Sequence, residues 1–226
     1  MESGSAALRQ TVRRLRSTGT AAVRAVVVKE NDGRAKLVEG ARRGYALQLP
    51  KFVASPKPPL AIVRVRSKSR NPLSPRARDF SIGADFRLGR VSKGTRMDDG
   101  DNLVQRSSFH APTQYKLQVD DAVPSCRLKG DAGEALVEAN PIRRLRWFRA
   151  LCTRTGDTVT LKVWRIKKGG LKLRSAVSKT ETIGSIHHPR TVPLTVGGRL
   201  RDNGTMPLRD TDQFNGRVDR VIYDRR

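Results

Sequence analysis

The stretch Phe80-Ser81-Ile82-Gly83-Ala84-Asp85-Phe86-Arg87-Leu88 constrains the fold more than any other. Its apolar side chains, Phe80, Ile82, Ala84, Phe86 and Leu88, recur at every second position, and successive side chains of a strand point to opposite faces. One face of this strand is core, and a sheet with one apolar face needs a second layer to cover it. The same period returns in residues 158–164, where Val159, Leu161 and Val163 point one way and Thr158, Thr160 and Lys162 the other. Thr155-Gly156-Asp157 supplies a turn before that strand, and the apolar run Trp147, Phe148, Ala150 and Leu151 lies on the other side of it. Residues 147–164 therefore read as a hairpin. Residues 60–65 and 44–49 form further strands, while Ser55-Pro56-Lys57-Pro58-Pro59 and Asn71-Pro72-Leu73-Ser74-Pro75 are proline-bounded loops, since proline removes a ladder donor. Near the end, Asn215-Gly216 marks a tight turn into a closing strand that carries Val218, Val221, Ile222 and Tyr223.

Several of these pieces, in order, resemble a known family. The run Trp147-x3-Leu151-Cys152-Thr153-Arg154-Thr155-Gly156-Asp157-Thr158-Val159-Thr160-Leu161, followed by Pro193-Leu194-Thr195-Val196-Gly197-Gly198 and Asp212-Gln213-Phe214-Asn215-Gly216-Arg217-Val218-Asp219-Arg220-Val221, is similar to the laminin G-like domains of the concanavalin A-like lectin and glucanase superfamily, in the form common in secreted actinobacterial proteins. Residues 79–86, 100–105 and 115–119 occupy the places of that family's early strands, so the likeness runs from about Arg43 to Tyr223. It implies an all-β fold, a two-sheet antiparallel jelly-roll sandwich, with Phe80, Ile82, Phe86, Leu117, Val119, Trp147, Leu151, Val159, Leu161, Leu194, Val196, Phe214 and Val221 in its core. It also implies that Cys126 and Cys152 face each other in a disulfide; two buried free thiols are the alternative. A bridge would place the protein outside the cytosol. The superfamily hosts sugar binders, protein binders and enzymes, so the likeness points to a fold and not to a ligand.

Enzymes of that superfamily place two or three carboxylates on one strand face, as acid and nucleophile about 5–5.5 Å apart in the retaining case. No strand here carries Glu at alternating positions, Asp120 and Asp121 are adjacent, and the closing strand offers Asp219 alone; no hydrolase activity is expected. His110, His187 and His188 are the only histidines, and His187-His188 before Pro189 reads as a solvated turn. Carboxylates cluster in Asp98-Asp99-Gly100-Asp101 and again from Asp202 to Asp212. Laminin G-like domains often bind calcium at a rim made by such loops, which makes Asp210 and Asp212 a calcium candidate, with a plain Asp-Gly turn as the alternative for the first cluster.

The outlying property of the chain is its charge. With 46 Lys and Arg against 21 Asp and Glu, the formal net charge is +25, which attracts polyanions of any kind. Two basic clusters stand out: Arg143, Arg144 and Arg146 just before the predicted hairpin, and Trp164-Arg165-Ile166-Lys167-Lys168-Gly169-Gly170 where the family has a short turn. If they adjoin, Arg143, Arg144, Arg146, Lys167 and Lys168 form a cationic patch beside Trp164, able to bind an anionic glycan or polynucleotide by charge and stacking. A solvated sheet edge kept charged against aggregation is the alternative.

At the N-terminus, Arg13-Arg14-Leu15-Arg16 followed by an apolar run interrupted at Arg24 reads as a degraded export segment or a basic arm, residues 1–28. A single sandwich domain then spans 29–226. No stretch approaches the ~20 apolar residues of a membrane-spanning helix. The function expected is non-catalytic recognition of a polysaccharide or other surface polymer, secreted or at the cell surface. The rival is an intracellular nucleic-acid-binding protein, against which stand 5% aromatic residues and no known nucleic-acid motif.

Overall fold

The computed structural model describes residues 14–15, 22–42, 44–68, 71–92 and 100–226. Among them the chain forms strands and connecting loops: β1 (Arg14–Leu15), β2 (Val23–Glu30), β3 (Lys36–Glu39), β4 (Tyr45–Gln48), β5 (Leu60–Ser67), β6 (Phe80–Leu88), β7 (Asp101–Arg106), β8 (Gln114–Asp120), β9 (Val123–Lys129), β10 (Glu134–Glu138), β11 (Trp147–Thr155), β12 (Thr158–Lys167), β13 (Gly170–Thr180), β14 (Leu194–Val196) and β15 (Gly216–Arg225). They build an eight-stranded sheet, in the order β1-β2-β5-β14-β7-β8-β9-β10, and a seven-stranded sheet, in the order β13-β12-β11-β6-β15-β4-β3. Every pairing is antiparallel, so the fold is a two-sheet antiparallel β-sandwich.

The alternation along β6 settles which way that strand faces. Phe80, Ile82, Ala84, Phe86 and Leu88 are buried in the common core, where Phe148, Ala150, Val159, Leu161 and Val163 join them from the neighbouring strands. The eight-stranded sheet answers with Val63, Val104, Tyr115, Leu117, Val119 and Leu128. Burying each large apolar side chain of this set stabilises the fold by about 1.5–3 kcal/mol. Cys126 on β9 lies between Leu117 and Val137, and Cys152 on β11 lies between Ile82 and Leu161. They form a disulfide, with Cα atoms 6.1 Å apart, that crosses from one sheet to the other inside the core.

Three expected core residues lie elsewhere. Trp147 and Leu151 share a strand with Phe148, Ala150 and Cys152 but occupy the alternate positions, so they stand on the outer face of the seven-stranded sheet. Val221 is exposed because the register of β15 against β6 shifts between Asp219 and Ile222, where Arg220 adopts φ 43°. The expected hairpin is present, with Gly156 at φ 55° in its turn. At the other end of the chain, β2 runs across the boundary expected between Val28 and Lys29 and pairs with β5 along its whole length.

Loops close the sandwich. Residues 198–213 lie against the outer face of the eight-stranded sheet, where Leu200 and Met206 pack on Leu60 and Ile62. Gln213 ties that loop down, donating to Gly197 O at 2.8 Å and Phe214 O at 3.0 Å and accepting from the Ala61 amide at 2.9 Å. A buried polar knot holds the loops around residues 71–74 and 186–192. Arg106 donates to Val192 O at 3.2 Å, to Asn71 Oδ1 at 3.0 Å and to Pro189 O at 3.1 Å. His188 is buried in this knot rather than solvated; its Nε2 donates to Thr113 O at 3.1 Å and its ring meets Tyr115 edge-on. Burial first, then the Arg106 guanidinium, push the His188 imidazole down to about 3.

Two outcomes follow from these contacts. Replacing both Cys126 and Cys152 by Ala is expected to cost about 3 kcal/mol, the chain entropy that a loop of this length returns to the unfolded state, plus the loss of packed sulfur; urea melts of the two proteins measure it. The unfolded chain binds a proton at His188 below about 6.5 while the folded one refuses it until about 3, so stability falls as pH falls through that window. His188 contributes up to about 1.4 kcal/mol per pH unit to that slope. The wild type should lose stability between pH 6 and 4 more steeply than His188→Gln, and equal slopes would show that the imidazole is not held neutral.

Candidate functional site

The residues that alternate with the core on β6, β11, β12 and β15 all emerge on the outer face of the seven-stranded sheet. Cross-strand register sorts them into two rows. In one, Gln48, Arg217, Arg87 and Trp147 follow one another across β4, β15, β6 and β11. In the next, Asp219, Asp85, Arg149, Trp164 and Leu173 run across β15, β6, β11, β12 and β13. Trp147 and Trp164 are thus diagonal neighbours, about 7–8 Å apart and somewhat less between Cβ atoms, within reach of one ligand. They are the only tryptophans of the chain, and both are half-buried on this face.

An ion pair anchors the face. Arg149 grips the buried Asp85 with both prongs of its guanidinium, Nε to Oδ1 at 2.6 Å and Nη2 to Oδ2 at 2.8 Å. This fork, with the field of Asp85 and Asp219, outweighs burial and raises the Arg149 pKa above the usual arginine value. The neighbouring row is the opposite case. Arg87 and Arg217 stand directly across from each other, and the proton affinity of Arg217 is lowered by burial and then by Arg87, with Glu39 as a partial offset. Arg217 Nε donates to Gln48 Oε1 at 2.9 Å, whereas Arg87 Nε is buried without a hydrogen-bond partner. Like charges placed directly opposite destabilise a sheet. An anion over Arg87 and Arg217 would reverse that penalty.

The two basic clusters read from the sequence border this face. β11 begins where β12 ends, so Arg143, Arg144 and Arg146, which lead into β11, and Lys167 and Lys168, at the β12–β13 turn, lie at the same end of the sheet as the two tryptophans. Arg143, Arg146, Lys167 and Lys168 are exposed. Arg144 turns away, donating to Ser92 O at 3.4 Å and lying 3.7 Å from Asp121. The turn is followed by Leu171 and Leu173, both exposed and opposite Ile166 and Trp164, which extend the apolar part of the patch.

Sequence inspection missed Asp85, Arg87, Arg149, Arg217 and the outward position of Trp147. The pairing of Asp219 with Asp85 also places two carboxylates opposite each other, which the separate strands concealed. Each already has a partner. Both oxygens of Asp85 are engaged by Arg149, and Asp219 Oδ2 accepts from the Ala41 amide at 3.2 Å. Asp210 and Asp212 do not converge with a third acidic side chain: Asp210 lies 3.9 Å from Arg199, and Asp212 accepts from Asn102 Nδ2 at 2.7 Å. Among the described residues no group of three or more His, Cys, Asp or Glu side chains gathers as a metal site. Asp98 and Asp99 lie outside the described residues.

No protein-family model matches the chain, and no curated protein matches it in sequence. Solved structures do match in fold. The binding domain of Paraclostridial Mosquitocidal Protein 1 is 14% identical, with a TM-score of 0.54 over 96% of this chain and 48% of that one. The binding domain of Botulinum Neurotoxin DC in complex with SialylT is 13% identical, with a TM-score of 0.56 over 94% of this chain and 47% of that one. The enzymatically active domain of tailspike protein 2 from bacteriophage CBA120 is 12% identical, with a TM-score of 0.54 over 95% of this chain and 29% of that one. The chain spans about half the length of the two toxin domains. The fold is one that binding domains use, and a tailspike enzyme uses it too.

Replacing Asp85 by Asn keeps the shape but leaves Arg149, half-buried, without its carboxylate. The expected loss is about 3 kcal/mol, at the lower end for a broken buried pair because Arg149 keeps some water. Denaturant melts of Asp85→Asn and of the double variant Asp85→Asn/Arg149→Met test this, the double variant recovering part of the loss.

Proposed function

We propose that the chain is a non-catalytic recognition module of laminin G-like type that binds an acidic carbohydrate on the outer face of its seven-stranded sheet. The observation that carries this reading is the juxtaposition of Trp147 and Trp164 with the directly opposed pair Arg87 and Arg217. Indole faces stack on the C–H faces of sugar rings, and paired guanidiniums recognise a carboxylate through their planar donors. Arg143, Arg146, Lys167 and Lys168 surround the platform with positive charge, which raises the local concentration of a polyanionic chain. Arg149 stands on the same face, two residues from Trp147 and opposite Trp164, and is held by Asp85.

The setting supports an extracellular role. A disulfide sealed in the core belongs to oxidising compartments. No helix among the described residues is long and apolar enough to cross a membrane. The Botulinum Neurotoxin DC domain of the same fold was solved with SialylT, an acidic-glycan precedent on a related sandwich rather than an assignment for this chain. A catalytic role finds less support, since both carboxylates of the face are already engaged. The net charge of +25 favours one rival, nucleic-acid binding.

Titration of the protein with an oligosaccharide carrying uronate or sialate, its neutral counterpart and a DNA duplex separates these readings. The acidic sugar should bind at least tenfold more tightly than the neutral one. Trp147→Ala and Trp164→Ala should each lower affinity about tenfold, equivalent to about 1.4 kcal/mol. Arg87→Gln/Arg217→Gln should abolish the preference for the acid while sparing the fold. Equal affinity for acidic and neutral sugars, or DNA binding that survives moderate salt with sugar binding absent, would refute the proposal.

A further inference from the structure

A second cationic cluster lies on the opposite side of the sandwich, on the outer face of the eight-stranded sheet. Arg24 on β2 is directly opposite Arg66 on β5, and Arg64 stands two residues along β5 on the same face. Val63 and Val65, which alternate with these arginines, point into the core. No carboxylate forms an ion pair with any of the three among the described residues. Instead the loop over the sheet offers backbone oxygens: Arg64 Nη1 donates to Gly204 O at 3.1 Å, and Arg66 Nη2 donates to Asn203 O. The loop is itself pinned, because Asn203 Oδ1 accepts from the amide and the hydroxyl of Thr205 at 3.0 and 2.7 Å.

Gly204 explains how two guanidiniums fit against so tight a turn. Its φ is +83°, and a Cβ there would lie 2.7 Å from both Arg64 Cδ and Arg66 Nη2. The missing side chain is the space the arginines occupy. The carbonyls take one N–H from each of Arg64 and Arg66, while Arg66 Nε is buried with no hydrogen-bond partner. Burial first, then Arg66 and Arg24, lower the proton affinity of Arg64, the mark of cations crowded without a counter-charge.

We infer that Arg24, Arg64 and Arg66 form a binding site for a tetrahedral oxyanion, a phosphate or sulfate group, separate from the carbohydrate face of the other sheet. Two side chains fixed by the loop and one exposed arm present several N–H donors towards one region, and guanidinium forks match the oxygen spacing of such a group. Gln48 and the tryptophans have no counterpart around this cluster, so it offers charge and hydrogen bonds rather than stacking. It is selective for a compact, highly charged group.

Calorimetric titration of the full chain with inorganic phosphate and with inorganic sulfate, at an ionic strength fixed with chloride, reads the site directly. Saturable binding of at least one anion is expected, weakened about tenfold in Arg66→Gln and in Arg24→Gln and unchanged in Trp147→Ala. Arg24 is exposed, so Arg24→Gln keeps the test decisive even if Arg66→Gln fails to fold. An oligophosphate and a sulfated oligosaccharide then identify the source of the group, the better binder being the one whose affinity falls in Arg24→Gln. No saturable binding by the wild type, or wild-type affinity in Arg24→Gln, overturns the inference. Because the two faces are mutated separately, failure here leaves the carbohydrate reading standing, and the reverse also holds.

Discussion

The burial of one face of β6 decides what its other face can become. Phe80, Ile82, Ala84, Phe86 and Leu88 are driven from water into the gap between the sheets, and the strand has no freedom to slip, because a shift of one residue would expose all five. With the register fixed, Ser81, Gly83, Asp85 and Arg87 are forced outward, and the strands paired on either side bring Arg149 to Asp85 and Arg217 to Arg87. The hydrophobic term thus positions polar groups whose mutual arrangement would be unfavourable if they were free to choose. The bidentate Asp85–Arg149 pair is compatible with this order, and the Arg87–Arg217 opposition is tolerated only because the core imposes it.

The large positive charge acquires a structural meaning once it is sorted by place. Many of the cations are on exposed edges; β13, the edge of the seven-stranded sheet, carries Lys172, Arg174 and Lys179, which discourage a second sheet from pairing there. Others are locked in like-charged sets on the sheet faces, Arg87 with Arg217 and Arg24 with Arg64 and Arg66. A lysine at a solvated edge costs little. Guanidiniums held opposite each other in partly buried positions cost stability, and Arg64 and Arg217 show it in lowered proton affinity whose first cause is burial and whose second is a neighbouring arginine. An anion bound over such a set would convert this cost into affinity.

The sandwich was legible because its signal is local. Period-two alternation in residues 80–88 and 158–164 and the turn at Gly156 each lie within one stretch, and local chemistry suffices to read them, whereas the pairing of the two cysteines came from the family resemblance. The end of the sheet where Arg146, Lys167 and Lys168 gather was also readable, since a hairpin returns the chain to its starting edge. The rest of the site was not, for a topological reason. Arg87 meets Arg217, and Asp85 meets Asp219, only because β15, at the far end of the chain, pairs with β6, and no pattern inside either strand encodes its partner. Trp147 was misplaced for a different reason. It was read with its apolar run as core, yet parity along β11 decides, and Phe148 already fills the inward position beside Phe86. Likewise the burial of His188 depends on Arg106, Thr113 and Tyr115, none of them near it in sequence.

Rigidity links the core to recognition. The disulfide joins the two inner faces at strands that neighbour β6 and β8, and the Gln213 and Arg106 contacts lash the covering loops to the same frame. A side chain on a regular strand of such a frame has little freedom left to lose, and Trp147, Trp164, Arg87 and Arg217 all stand on central strands or next to them. Association is opposed by lost translational and rotational freedom and by the ordering of both partners, so a surface ordered before the ligand arrives needs fewer contacts for a given affinity. The same frame also gives each carboxylate of the face a partner. Asp85 is committed to Arg149 and Asp219 Oδ2 to the Ala41 amide, so the acidic groups of the face hold the frame on which the cationic and aromatic side chains stand.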